Sequence, residues 1–160
     1  NGKTFEHNAL IKARRIAKET GKISIAVYSG IEVDALGKRP GVHSARYSGE
    51  NASDEENRIK MFKELEGVSM DKRTARFVCV IAVVFPDGKE ILSRGVVDGR
   101  IAKEERGSHG FGYDCMFIPD GYDKTFGELP SELKNSFSHR SRALEKMKIQ
   151  LENTIDSRTI

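Results

Sequence analysis

The sequence is short of cysteine, of long apolar runs and of excess charge, and each shortage excludes something. Two cysteines in 160 residues, Cys79 and Cys115, cannot build a disulfide scaffold. Cys79 lies in an apolar run and reads as a small buried hydrophobe. The pair points to a reducing, cytoplasmic setting. No apolar stretch approaches the roughly 20 residues needed to cross a bilayer, so no membrane association is expected. Asn1 to Asn8 is polar and lacks the apolar segment of a secretory signal. The formal net charge of +3 is a mild excess and gives no ground for nucleic-acid binding. Repeats, low-complexity stretches and linkers are missing too, so one domain over residues 1–153 is expected, with a frayed tail over 154–160.

What is present is ordinary for a globular chain: 38% hydrophobic and 32% charged residues. Thr4 can cap a helix from Phe5 to Thr20, whose apolar positions fall at helical spacing and which Gly21 ends. Ile23 to Tyr28 reads as a short buried strand, broken by Ser29-Gly30, with Ile31 to Leu36 as a second extended piece. Asp54 to Leu65 reads as an amphipathic helix. Arg76 to Phe85 is the clearest strand, and the Asp87-Gly88 turn returns Glu90 to Val97 antiparallel. Ser131 begins a short helical turn. Ser138 can cap a last helix with Leu144, Met147 and Leu151 on its apolar face. The fold class is therefore α/β or mixed α+β, with an antiparallel hairpin and flanking helices. The chain opens on a helix, although an open α/β sheet normally begins with a strand whose following loop binds phosphate.

Two segments carry chemistry. In Gly110-Phe111-Gly112-Tyr113-Asp114, two glycines flank an aromatic, so backbone can approach a flat ligand closely. Phe111 can stack on a base, worth about 1–3 kcal/mol, and Asp114 can accept hydrogen bonds from a base edge. A turn with a buried Phe is the plainer alternative for these five residues alone. In Lys134-Asn135-Ser136-Phe137-Ser138-His139-Arg140, the Ser138 cap places His139 and Arg140 in a first helical turn, where free N–H groups favour anions. A helix start with solvated bases competes with that.

The ordered set of segments is far more specific. Thr4-Phe5-x-x-Asn8-Ala9-x-x-Lys12-Ala13, Ser29-Gly30-Ile31-Glu32-Val33-Asp34-Ala35-Leu36-Gly37 and Pro40-Gly41-Val42-x-Ser44-Ala45-Arg46-Tyr47-Ser48-Gly49-Glu50 come first. Arg76-Phe77-x-Cys79, Gly107-x-x-Gly110 through Asp114, Lys124-Thr125-Phe126-x-Glu128-Leu129 and Lys134-Asn135-x-x-Ser138-His139-Arg140 follow. From Lys3 to about Leu151 the chain resembles the inosine/xanthosine triphosphate pyrophosphatase family. The resemblance implies a two-lobed fold with a mixed twisted sheet, commonly a homodimer. It implies Mg²⁺-dependent cleavage of ITP, dITP or XTP to the monophosphate and pyrophosphate. Carried over, Phe111 would stack on the purine, with Gly112 and Tyr113 beside it. Asp114, His139 and Arg140 would read the base edge. Ser29 and Lys134 would lie along sugar and phosphates, and Lys12 near the phosphates. Donors facing a 6-oxo group disfavour adenine, whose amino group opposes them.

Three departures fall on the chemistry. The family carries Glu where this chain has His7, and that Glu is a metal ligand or close to one. It carries an acidic pair, whose second member holds metal and acts as general base, where this chain has Val27-Tyr28. The family's Thr-Gly-Asn-x-x-Lys phosphate loop has no counterpart here. Mg²⁺ prefers oxygen ligands, His7 suits Mn²⁺ or Zn²⁺ better, and Tyr28 is a weak base near neutral pH. Losing a general base costs on the order of 100- to 10,000-fold in rate. The expectation is thus a nucleotide-binding sensor with little or no hydrolysis, degenerate at His7 and Tyr28, meeting Mg²⁺ only through bound triphosphate. It would act as a homodimer or with an effector partner in a stress or antiviral system. The alternatives are an active pyrophosphatase with an altered, Mn²⁺-type metal site, and an interaction protein with a relic pocket.

Overall fold

The computed structural model describes residues 3–159, with side chains through Thr154. Helix α1 (Phe5–Thr20) begins where the sequence places it: Thr4 is extended, and its hydroxyl accepts the His7 N–H at 3.0 Å. It ends on Gly21, left-handed at φ 68°, whose N–H returns to the Ala17 carbonyl. Phe5, Ala9, Ala13 and Ala17, one turn apart, form its buried stripe.

Strand β1 (Ser24–Val33) runs straight through Ser29-Gly30. The break expected there is absent: Ile31–Val33 of the second extended piece continue β1, and a 3₁₀ turn, Asp34–Leu36, takes the place of the rest. Sheet context overrides the turn propensity of the Ser-Gly pair. Strand β2 (Arg39–Pro40) pairs antiparallel with Glu32 and Val33. Helix α2 (Asp54–Glu64) starts with a capping box between Ser53 and Glu56. Strands β3 (Thr74–Val84) and β4 (Glu90–Ile101) form the expected hairpin, and its turn is held by the Asp87 carboxylate on the Lys89 N–H at 2.9 Å. Strand β5 (Phe117–Pro119) pairs antiparallel with Gly99–Ile101. Helices α3 (Ser131–Phe137) and α4 (His139–Thr159) close the chain. The α4 backbone stays helical through Thr159, where a frayed tail from 154 was expected. The sheet order is β2-β1-β3-β4-β5, giving the mixed α+β class read from the sequence.

The chain divides into two compact units, and β1, β3 and β4 contribute residues to both. The first unit contains the described residues up to Ser29, Cys79–Val96, and those from Ser138 onward. Its core packs Cys79, Ile81, Val83, Phe85 and Ile91 against Ala143 and Met147 of α4. Leu144, expected on the same face, is 59% exposed, because it lies about 100° around the helix from Ala143. The helix lies directly on β4 at Gly95. A Cβ there would stand 2.1 Å from the His139 carbonyl oxygen and 2.4 Å from the Ala143 nitrogen. Arg142, Lys146 and Gln150, spaced by four, donate to the carbonyls of Val96, Arg94 and Leu92 at 2.7, 2.9 and 2.9 Å.

The second unit holds Gly30–Val78 and Val97–Phe137. Its core centres on Phe77, Phe117 and Phe126, with Phe117 4.6 Å from the Phe77 ring and 5.4 Å from the Phe126 ring. Ile31, Met61 and Leu65 are fully buried around them. Much of the 41–47 motif is structural here. Ser44 links the Ile31 N–H (2.9 Å) to the Gly41 carbonyl (2.6 Å), and buried Asn57 ties Ser48 to Ala45.

Candidate functional site

In the second unit, Gly110 (φ 76°) and Gly112 (φ 61°) are both left-handed and flank Phe111. They turn the Phe111 ring outward, leaving it 61% exposed. Asp114 is buried, and its Oδ2 accepts both the Phe111 N–H at 3.0 Å and the Lys134 ammonium at 2.6 Å. A Cβ on Gly110 would stand 2.1 Å from that same oxygen, so only glycine allows the carboxylate to close under the loop. The Lys134 ammonium lies 5.4 Å from the Phe111 ring centre and 5.6 Å from that of Phe126. Of the residues singled out in the sequence, Phe111, Gly112, Tyr113, Asp114 and Lys134 are thus assembled by contact.

The loop is fixed on every side. The Tyr113 hydroxyl donates to the Ser44 carbonyl at 2.7 Å, and burial pushes its pKa above the ordinary phenol value, which keeps it a neutral donor. The Gly127 N–H reaches the Asp114 carbonyl, and the Gly127 carbonyl receives the His109 N–H. Gly107 packs against the Gly127 backbone so closely that a Cβ would fall 2.1 Å from its carbonyl carbon. Thr125 is buried and bonds the Arg106 carbonyl, so the Lys124-Thr125-Phe126 motif supports the loop and the core. A cavity of about 270 Å³ opens beside Phe111, lined in part by Arg58, Glu105, His109 and Cys115. Arg58 and Asp54 were missed in the sequence. Both bond the backbone of Gly112, and the only signal for them was an Asp and an Arg four apart on a helix.

The first unit carries the remaining residues on separate elements. Lys12 and His7 are exposed on α1. Val27 is exposed on β1, and Tyr28 and Ser29 are half-buried there. Tyr28 packs on the Phe5 ring at 6.2 Å. His139 (buried) and Arg140 (exposed) open α4, whose first turn is capped by Ser138, which accepts the Ser141 N–H at 3.2 Å. Burial pushes the Cys79 thiol up to about 11, so it stays protonated and inert, as its place in an apolar strand implies.

The carboxylates near the altered positions in sequence are engaged in ion pairs. Glu6 pairs with Arg94 at 2.9 Å. Glu32 and Asp34 pair with Arg76, and Glu50 with Arg46. Among the described residues no group of three or more His, Cys, Asp or Glu side chains is placed to hold a metal. His7, Val27 and Tyr28 do not make the oxygen-rich set that a protein-held Mg²⁺ needs.

The whole-chain pattern matches a known family model, the Ham1 family, over residues 1–150. The chain belongs to the Ham1 family. Among Ham1-family relatives, the dITP/XTP pyrophosphatase of Bacillus licheniformis is 50% identical over 94% of this chain and 77% of its own length. The dITP/XTP pyrophosphatase of Geobacter sulfurreducens is 51% identical over 94% of this chain and 76% of its own length. Among solved structures, the Ham1 protein of Staphylococcus aureus superposes with a TM-score of 0.91 at 43% identity, covering 96% of this chain and 79% of that one. The resemblance to triphosphate pyrophosphatases and the fold it implied are borne out. The expectation of a non-hydrolysing sensor is not. Relatives sharing about half of all residues are named as pyrophosphatases, and that finding overturns the inference drawn from three substituted positions. Among the described residues no helix is long and apolar enough to cross a membrane.

Proposed function

We propose that this Ham1-family chain hydrolyses non-standard purine nucleoside triphosphates of the dITP/XTP class, cleaving between the α- and β-phosphates to give the monophosphate and pyrophosphate. The observation that carries this reading is the 50% identity to a dITP/XTP pyrophosphatase across 94% of the chain. The Phe111 loop supports it from the structure: an exposed ring on a rigid backbone, with a buried Asp–Lys pair beneath, is suited to stacking a flat base.

The residues take distinct roles in this reading. Phe111 stacks on the purine, and Asp114 holds Lys134 where its ammonium serves the sugar-phosphate side. His139 and Arg140, at the start of α4, present donors that favour a 6-oxo acceptor over the amino group of adenine. Lys12 and Ser29 serve the phosphate chain. The metal enters as part of the substrate, as the Mg²⁺ or Mn²⁺ complex of the triphosphate, since among the described residues no side-chain group makes a Mg²⁺ cage.

Phosphorus NMR of the products tests the reading. Incubation with dITP and Mg²⁺ should yield dIMP and pyrophosphate with no orthophosphate. Replacing Mg²⁺ by Mn²⁺ in parent and His7→Ala shows whether the imidazole takes part in metal use. Orthophosphate as the first product, or no turnover with either metal, would sink the proposal.

A further inference from the structure

The Phe111 ring is 61% exposed, and the backbone that presents it is held by hydrogen bonds on both sides. Gly112, the residue that follows it, is left-handed, and nothing stands within 4 Å of where a Cβ would lie. Both of its backbone polar groups are held by hydrogen bonds from α2. Asp54 Oδ2 accepts the Gly112 N–H at 3.0 Å, and Arg58 Nη1 donates to the Gly112 carbonyl at 2.9 Å. Both polar groups of one backbone residue thus end on two side chains one helical turn apart. Arg58 is fixed in turn by Glu105, and its side chain is only 19% exposed. With the Phe111 N–H already on Asp114, the ring is pinned from both of its flanks.

We propose that Asp54 and Arg58 are positioning residues that set the stacking face of Phe111 for the base. The proposal rests on the reading of Phe111 as the base platform. A platform used equally in ground and transition states contributes uniform binding, so loosening it raises KM and leaves kcat in place. A staple that only joins α2 to the loop would lower the melting temperature and leave KM unmoved.

The test compares Asp54→Ala, Arg58→Ala and Phe111→Ala with the parent, using dITP kinetics and amide hydrogen exchange over residues 110–114. Each α2 variant should raise KM about tenfold, the usual effect of losing one charge-assisted hydrogen bond, with kcat changed less than about twofold. The Gly112 amide should exchange faster by a similar factor. A raised KM in Phe111→Ala together with unchanged KM in both α2 variants overturns the clamp alone. Unchanged exchange at Gly112 in Asp54→Ala overturns it without reference to activity. An unchanged KM in Phe111→Ala overturns the platform reading and the clamp's purpose with it. Asp54→Asn, which keeps the shape and weakens the acceptor, carries the test if an alanine variant does not fold.

Discussion

Lys134 and Asp114 are the pair on which the loop depends. Their side chains are 14% and 6% exposed, so both are largely out of water and each has the other as its ion-pair partner. Removing one partner strands the other. Lys134→Met should lower unfolding free energy by about 3–5 kcal/mol in urea titrations, and adding Asp114→Asn should recover part of that loss. A loss near zero in the single variant would mean that the pair is open to solvent. Gly110→Ala should be as damaging for another reason, since its φ of 76° is left-handed and its Cβ would collide with Asp114 Oδ2. Both pair members were legible in the sequence, but their pairing was not, because 20 residues separate them and only the fold brings them together. Asp54 and Arg58 were illegible for the reverse reason: on a surface helix, an acid and a base four apart look like any solvated pair.

At the scale of elements, α4 is secured to β4 by one glycine and three long polar side chains. Gly95 lets the helix backbone touch the strand, and Arg142, Lys146 and Gln150 occupy carbonyls that an edge would otherwise present to solvent. Gly95→Ala should cost about 1–3 kcal/mol, the usual effect of forcing a methyl into a filled contact, and should displace the turn that carries His139 and Arg140. The same assay on Gly21→Ala, which meets no neighbour but sits at a left-handed cap, separates backbone strain from collision. An unchanged stability in Gly95→Ala would refute the close contact. Helical period and the Ser138 cap located α4 correctly. The sequence alone misassigned Leu144 to its buried face, because only packing decides which of two neighbouring stripes turns inward. The Ser29-Gly30 break failed similarly: a turn-forming pair inside β1 yields to the ladder on which it lies.

Over the whole molecule, several carboxylates titrate below their ordinary range. Asp34 is lowered by the Thr74 hydroxyl and then by Arg76, Glu64 by the Tyr47 hydroxyl and then by Arg39, and Glu90 by Arg14. A depressed folded pKa means that the unfolded chain binds more protons in acid. The stability it contributes is present above the unfolded carboxylate range and lost as pH falls through the folded values. Melting temperature should therefore hold from pH 7 to about 5 and fall below about 4, where unfolded Asp and Glu titrate. The pairs are partly exposed, so the fall is modest for each, and Asp34→Asn should make it shallower. A melting temperature independent of pH down to 3 would contradict this.

The functional claim belongs to the whole chain too, since it rests on similarity across nearly all of it rather than on one motif. The segments proposed to meet the base stood out in the sequence because glycines, an aromatic and a capped helix start leave local signatures. The chemistry was misread because three substituted positions were weighed above identity spread over the entire chain. The most direct test is the ratio of kcat/KM for dITP to that for dATP, measured by pyrophosphate release. The account predicts turnover of dITP with a ratio on the order of 100 or more, set by donors that meet a 6-oxo group and oppose an amino group. Equal turnover of the two, or none of dITP, would contradict it.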